Sequence, residues 1–354
     1  MSSPRIAITM GDPAGIGPEI ILKAIARLLP RIDAGELALL VVGCARTWRN
    51  TATTLSLPTC GIEYLPVGQL ADWPVLGFLD AGPATEDIVP GRTSAQAGRL
   101  AYNAIEIAVR LAMQGQVQGI CTAPLSKEAL NLAGHHYSGH TELLAELTGA
   151  RDSVMMLAHG NMRVSHVCTH TALADVPARL TPERLRRVVQ LTDEALRRLG
   201  FESPRIAIAA LNPHAGEGGL FGREDIDVTT PTVAALAAEG FNVHGPFPGD
   251  TIFVNLRAGK HDAVVAMYHD QGHIPVKLLG FHVDPQTGKW DSLSGVNVTL
   301  GLPVIRTSVD HGTAFDIAGK GAASETSLIE AIDFALKLSG FPAAGPVQAA
   351  ASVI

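Results

Sequence analysis

RIAITMGDPAGIGPEIILKAIARLL, residues 5–29, is where the reading of the fold is decided. A short apolar run at 5–9 reads as a strand, the stretch Gly11 to Gly17 as a tight glycine turn, and 18–29 as a helix opened by Pro18. Strand, turn and helix in that order are the unit of a parallel sheet. The pattern recurs along the chain. Strands are expected at 37–42, 119–122, 154–157, 163–168, 205–211, 263–267 and 304–307, and helices at 94–113, 127–132, 141–147, 182–199, 225–239 and 325–338. Thr181 is placed to cap the helix opening at Pro182, and Gly200 and Gly240 to close two helices. The expectation is an α/β fold, a mixed, mostly parallel sheet flanked by helices.

Composition agrees. Of 354 residues, 47% are hydrophobic, 17% charged and 5% aromatic, with 36 glycines, so the core is built of small aliphatic side chains. A net charge of -7 without any basic block excludes nucleic acid as an expected partner. No stretch reaches the ~20 apolar residues of a membrane span, and no charged-then-apolar leader precedes residue 9. A cytoplasmic protein without a membrane partner is expected. Cys44, Cys60, Cys121 and Cys168 form no CxxC pair and read as buried, reduced thiols. The polar stretch at 282–295 reads as a long surface loop, and the Ala- and Pro-rich end from residue 340 as a fraying tail.

Three histidines share one context. His170, His214 and His269 each follow an apolar strand run by a residue or a few. In open α/β sheets that rim is where ligands bind, and three neutral imidazoles meeting there suit a divalent transition metal with open positions. Taken singly, each could be an ordinary hydrogen-bonded loop histidine; the matched placement favours ligation. His166, within its strand, reads instead as a satisfied core histidine. The turn at Gly11 and Gly15 and the glycine-rich segment His311, Gly312, Thr313, Ala314, Asp316, Ile317 are suited to close approach by a cofactor. Composition alone does not name it.

These segments resemble a known family. GDPAGIGPEI and DHGTAFDIAGKG are similar to the two cofactor-side signatures of the isocitrate and isopropylmalate dehydrogenase superfamily. SGHTELL, NPHAGEGG, GDTIF, MYHDQG and VNVTLGLPVIRTSVDHGTA resemble the 4-hydroxythreonine-4-phosphate dehydrogenase family, from about residue 6 to residue 338. The resemblance implies a two-domain fold with the active site in the interdomain cleft. Residues 1–135 and 296–345 would form a discontinuous cofactor-side domain, 136–295 the metal, substrate and dimerisation domain, and 346–354 a flexible tail.

It also implies an NAD-dependent oxidation (with NADP as the alternative) of the secondary alcohol of a small 4-phosphorylated hydroxy acid. One divalent ion (zinc, cobalt, manganese or magnesium) would be held by His170, His214 and His269, contributed by both subunits of a homodimer. His140, Thr141, Lys277, Asn297 and Arg306 fall on substrate-binding positions, Asp250 and Lys277 on candidates for the proton acceptor, and residues 311–317 on the adenosine loop. After MYHDQG this chain reads His273-Ile274-Pro275-Val276-Lys277, a departure closer to the branches acting on 4-phosphothreonate or 4-phosphoerythronate, and to a branch oxidising terephthalate-type cis-dihydrodiols. Where the product is a β-keto acid, decarboxylation would follow. Outside the dehydrogenases, a metal-dependent hydrolase is the competing reading: the three histidines with Asp250 and Asp270 could activate water.

Overall fold

The computed structural model describes residues 3–66, 74–85, 87–286 and 290–340. In chain order its elements are β1 (Arg5–Thr9), α1 (Gly17–Asp33), β2 (Ala38–Gly43), α2 (Ala45–Thr54), β3 (Glu63–Leu65), β4 (Leu76–Asp80), α3 (Ala95–Met113), β5 (Gly119–Thr122), α4 (Lys127–Leu132) and α5 (His140–Thr148). There follow β6 (Val154–His159), β7 (Met162–His166), α6 (Val176–Arg179), α7 (Pro182–Arg198), β8 (Ile206–Ala209), α8 (Thr230–Ala238), β9 (Val243–Phe247), α9 (Gly249–Arg257), β10 (Ala263–Ala266) and α10 (His269–Gly280). The last are β11 (Phe281–Val283), β12 (Trp290–Leu293), β13 (Val296–Leu300), β14 (Arg306–Val309) and α11 (Thr326–Leu338). The boundary signals hold: the Thr181 hydroxyl accepts from Arg184 N at 3.2 Å, and Gly200 and Gly240 both take φ +96° beyond their helices.

Twelve strands form one sheet in the order β3-β4-β2-β1-β5-β14-β13-β6-β7-β10-β8-β9. The sheet is the mixed, mostly parallel one expected. Its arrangement has a consequence for the site. β13 runs antiparallel to both β14 and β6, and β6 antiparallel to β7. After three reversals, the parallel block β7-β10-β8-β9 points opposite to the block that ends in β5 and β14. The carboxyl ends of the two blocks therefore lie on opposite rims, and no single rim can collect ligands from both.

The two faces differ. On one, a continuous core spans the sheet, from Ile6, Ile8 and Cys121 through Val298 and Met156 to Ile208 and Val265, closed by α1, α7 and α11 residues such as Ile25, Val188 and Ile332. On the other there are two separate cores. Ala7, Leu40 and Ile120 pack with Ile105 and Val109 of α3 and Leu143 of α5. Leu157, Val164 and Val264 pack with Ile252 and Leu256 of α9 and Val276 of α10. Between them lie β14 and β13. Side chains alternate along a strand, and the register pairs Arg306 with Ile120, Ser308 with Thr122 and Asn297, and Thr299 with Met155. Arg306, Ser308, Asn297 and Thr299 thus floor the gap between the two apolar cores.

Several elements differ from expectation. The supposed loop at 282–295 is instead a β-hairpin, Phe281 opposite Leu293, with Gln286 N donating to Asp284 Oδ1 at 2.7 Å as the chain turns. Pairing two short strands satisfies backbone groups that a bare loop leaves to water. The strands β3, β4, β9 and β13 and the helices α2, α6, α9 and α10 are additional. α10 is masked in the sequence by Gly272 and Pro275, both poor helix formers, yet it buries His273 and Val276 against the sheet, and packing outweighs propensity. The expected tail at 346–354 lies outside the described residues. Cys44 and Cys121 are buried as expected; Cys60 and Cys168 are only partly so, and all four are free.

The turn between β1 and α1 is held by backbone contact. Gly11 sits at φ +68°, where a Cβ would lie 2.1 Å from the Pro124 carbonyl oxygen. Gly11→Ala should therefore be strained both by conformation and by overlap, costing about 2–3 kcal/mol and lowering Tm by about 3–4 °C. Thermal unfolding of the purified variant measures this; an unchanged Tm would show that the turn yields without cost.

Candidate functional site

Above the polar gap lies a cavity of about 880 Å³, within the range of small-ligand and cofactor sites. Its floor comes from the sheet (Thr122, Arg306, Ser308, Asn297, Met155), one wall from His140 and Thr141 at the start of α5, and another from His273 and Lys277 of α10. His170 lines it from the loop after β7, and His311, Gly312, Ala314, Asp316 and Ile317 from the loop after β14. Eleven expected site residues, from stretches as far apart as 140 and 317, meet in this one space.

Arg306 is the most telling of them. Its side chain is 3% exposed. One guanidinium nitrogen donates to Thr299 Oγ1 at 2.9 Å and the other to Thr122 Oγ1 at 2.7 Å, while Nε has no partner. Among the described residues no carboxylate forms an ion pair with it. Burial pulls the group down to about 10, with Cys121 acting weakly in the opposite sense. A buried cation without a counter-ion is costly, and an anionic ligand in the cavity would supply the missing charge. Two further buried atoms beside it lack partners, Nε2 of His140 and Oδ1 of Asn297. Burial first, and then the Arg306 charge, hold His140 well below the ordinary histidine range, so it is neutral near pH 7.

Of the three histidines expected to ligate a metal, two approach each other within one chain. The rings of His170 and His269 stand 6.1 Å apart between centroids. Asp270 Oδ1 lies 2.6 Å from Nδ1 of His269, leaving Nε2 free for a ligand bond. His273 stacks on His269 at 3.6 Å and donates from Nδ1 to the His269 carbonyl at 2.9 Å, which orients both rings. His214 stands apart, its ring near Phe221, and the described residues of a single chain form no group of three His, Cys, Asp or Glu able to hold an ion. The loop that carries it is unusual. His214, Ala215 and Glu217 take φ of 53°, 55° and 43°, interleaved with Gly216, Gly218 and Gly219, in a left-handed run. Such conformations cost about 1–2 kcal/mol for each non-glycine residue. Asp225 anchors the entry to this run by accepting from Leu211 N and Asn212 N.

Other expectations need correction. Asp250, at the start of α9, is exposed and outside the cavity of its own chain, whereas Lys277 lines it. Gly11 and Gly15 do not line the cavity; the backbone they admit is the chain's own, Pro124 at Gly11 and Thr313 at Gly15. They still shape the site, because Ile16 N donates to Thr313 O and ties the turn to the 311–317 loop. His166 is a core residue, as expected, but is not satisfied: Nδ1 faces Met155 O at 3.3 Å while Nε2 is buried without a partner. Thr122, Met155, Ser308 and Asp310 belong to the cavity and were not singled out from sequence. For Ser308 the available signal was the polar run Arg306-Thr307-Ser308 in an otherwise apolar set of strands.

A family model described as "Pyridoxal phosphate biosynthetic protein PdxA" matches residues 37–335. The chain belongs to the PdxA family. D-threonate 4-phosphate dehydrogenase of Pectobacterium atrosepticum is 48% identical over 342 residues, covering 94% of this chain and 99% of that protein. 4-Hydroxythreonine-4-phosphate dehydrogenase of Beijerinckia indica is 47% identical over 341 residues, covering 94% of each. The crystal structure of 4-hydroxythreonine-4-phosphate dehydrogenase from Klebsiella pneumoniae superposes with a TM-score of 0.79 at 45% identity, covering 95% of this chain and 100% of that one. This PdxA-family chain is thus an enzyme of the dehydrogenase class, and the hydrolase reading has no support among these relatives. No helix among the described residues is long and apolar enough to cross a membrane.

Beneath the 311–317 loop, the turn buries the carboxyl of Asp12. Oδ1 accepts from Ala14 N at 2.8 Å and Oδ2 has no partner. Burial raises this group to about 6, against the smaller opposing effect of the Ala14 hydrogen bond. The folded chain then holds a proton that the unfolded chain releases near 3.8, so ionisation disfavours the fold. This group's contribution is intact below about pH 4 and is lost as pH rises through about 6. Asp12→Asn should be more stable than the parent at pH 7.5, on the order of 2 kcal/mol, with the difference vanishing near pH 4. Denaturant melts at both pH values test this; equal stability at pH 7.5 would mean that the carboxylate is compensated in the fold.

Proposed function

We propose that this chain oxidises the secondary alcohol of a small 4-phosphorylated hydroxy acid, with NAD as hydride acceptor and a divalent metal ion at the reacting oxygen. The observation that carries the reading is the buried Arg306 without a counter-ion, its Nε unpartnered, with the unpartnered Nε2 of His140 beside it, donors suited to the oxygens of a phosphoryl group. The names of the relatives, which act on D-threonate 4-phosphate and 4-hydroxythreonine 4-phosphate, supply the two leading substrates. A relative from Bradyrhizobium diazoefficiens named for D-threonate 4-phosphate is 63% identical over 343 residues, against 47% for the relative named for 4-hydroxythreonine 4-phosphate, so identity favours the former substrate. A cis-dihydrodiol of terephthalate type would need no phosphate cradle and is the less favoured reading.

The donor set suits both absent groups. His170 and His269 would hold the metal on one side, with Asp270 fixing the ring of the second. Five residues of the 311–317 loop, His311, Gly312, Ala314, Asp316 and Ile317, line the cavity wall and would face an adenosine there, and the Asp316 carboxylate would favour the free ribose hydroxyls of NAD over the phosphate of NADP. When bound, the ion would polarise the alcohol oxygen and the nicotinamide would accept the hydride. The chain's own part is to bind the phosphate at Arg306, to exclude water over the apolar flanks of the gap, and to take the alcohol proton. For that last role Lys277 is favoured over Asp250, because it faces the cavity. Where the oxidised carbon is β to the carboxylate, the β-keto acid formed loses CO₂ readily.

The third metal ligand is assigned to His214 of a second subunit. Large exposed apolar side chains on α9 (Val254, 66%), α10 (Ile274, 63%; Leu278, 76%) and the loop after His214 (Leu220, 74%) support a homodimer. The two-domain division, 1–135 with 296–345 and 136–295, is retained as part of this proposal.

A panel of 4-phosphohydroxythreonine, 4-phosphothreonate, 4-phosphoerythronate and a carboxylated cis-dihydrodiol, followed by NADH absorbance, tests the substrate class. Arg306→Ala should raise KM for the phosphorylated substrate by at least about 30-fold with a smaller change in kcat. An unchanged KM would remove the phosphate from this position. His214→Ala and His269→Ala should each lose metal and nearly all turnover while keeping the parent's circular dichroism. If sites are shared, mixing the two inactive variants under subunit exchange restores roughly a quarter of parent activity, since half of random dimers contain one intact site. No recovery despite exchange would overturn the assignment of His214 and His269 to different subunits.

A further inference from the structure

Asp310 lies at the end of β14, two residues beyond Ser308, and lines the cavity opposite α10. Its side chain is 8% exposed, and Lys277 Nζ is 3.6 Å from Oδ1, its one ion-pair partner among the described residues. The lysine is bracketed: Nζ also stands 5.0 Å above the ring of Phe281, at the start of β11. A lysine carries about 2 kcal/mol of rotamer entropy, so a flexible side chain in an 880 Å³ cavity needs such contacts to hold one direction.

The backbone that carries the carboxylate is itself fixed. Asp310 N donates to Ser327 Oγ at 3.2 Å, and Ser327 Oγ donates to Gly295 O at 2.6 Å. Gly295 N donates to Glu330 Oε2 at 2.8 Å, and Ser294 Oγ to Glu330 Oε1 at 2.6 Å, with Nδ1 of His159 2.8 Å from that same hydroxyl. Sheet, hairpin base and α11 therefore converge to set where Asp310 stands.

We propose that Asp310 is a positioning residue for the dehydrogenase reaction: it holds the Lys277 side chain across the cavity, toward the alcohol, and balances the ammonium formed when Lys277 takes the alcohol proton. The inference rests on the assignment of Lys277 as proton acceptor. For the step, Nζ first releases the proton of its resting ammonium to water; the alcohol O–H proton then passes to the neutral amine while the carbinol hydrogen leaves with its electron pair to the nicotinamide. One positive charge is thereby formed at Nζ, next to one negative charge at Asp310. Burial pushes the Asp310 carboxyl up and Lys277 pulls it back down, the pattern of a carboxylate that depends on that ammonium. The other titratable groups facing the pair are His269 and His273 from α10 and His311 from the loop after β14.

Asp310→Asn keeps the shape and removes the charge. It should lower kcat on the order of tenfold to a hundredfold while KM for the phosphorylated substrate and the Kd for NAD change less than about threefold. The acid limb of the kcat–pH profile should also move by about half a pH unit or more, which a merely structural contact would not do. Asp310→Glu should recover most of the loss. In a Lys277→Ala background, adding Asp310→Asn should cost nothing further. A normal kcat in Asp310→Asn beside an inactive Lys277→Ala overturns the inference alone. An active Lys277→Ala overturns the assignment on which it rests, and full additivity of the two changes overturns the coupling.

Discussion

Arg306 projects from the middle of a β-sheet, where its neighbours Thr122 and Thr299 offer hydroxyls but no carboxylate. A core built only for stability would place an aliphatic side chain there, as Ile120 and Leu157 do on either side of the same face. The charge is tolerable only because the two apolar cores on that face stop short of each other and leave a polar-floored gap. The gap in turn exists because β13 and β14 turn Asn297, Thr299, Arg306 and Ser308 to one face and Val296, Val298, Thr307 and Val309 to the other. One face of each strand joins the continuous core and the other faces the cavity. Local pattern, packing and site thus follow from one alternation.

The reversal of strand direction at β13 and β6 explains why the groups that line the cavity come from such different positions. With carboxyl ends on opposite rims, the first block delivers the 311–317 loop and the residues after β5, while the second delivers His170 and α10. These meet over the sheet face instead of along an edge. His214 and Asp250 belong to the second block but face away from the cavity of their own chain, and the apolar side chains exposed nearby lie on the same elements.

Much of this could be read from residues alone. The helices with clean 3.6-residue patterns and capping residues, such as Pro182–Arg198 behind Thr181, fell where expected. Much of the polar lining of the cavity, including His140, Lys277, Asn297 and Arg306, is legible in the sequence through motif resemblance. What escaped has physical causes. α10 contains Gly272 and Pro275, whose local preference opposes the helix that packing enforces. β13 mixes polar and apolar residues because its two faces serve different neighbours. Asp310 sat unnoticed in a glycine-rich segment because its significance lies in the distance to Lys277, 33 positions earlier in the chain (310 − 277), which no local pattern encodes.

The unbroken twelve-strand ladder has a mechanical meaning. The halves that flank the cavity are joined by hydrogen-bonded strands and not by a slack tether. Any widening that admits a cofactor must be shared out as extra twist along β13 and β6. The elastic element is the same pair of strands whose side chains line the cavity floor, so the act of opening would draw Asn297 and Met155 out of register with Arg306 and loosen the grip on a departing product.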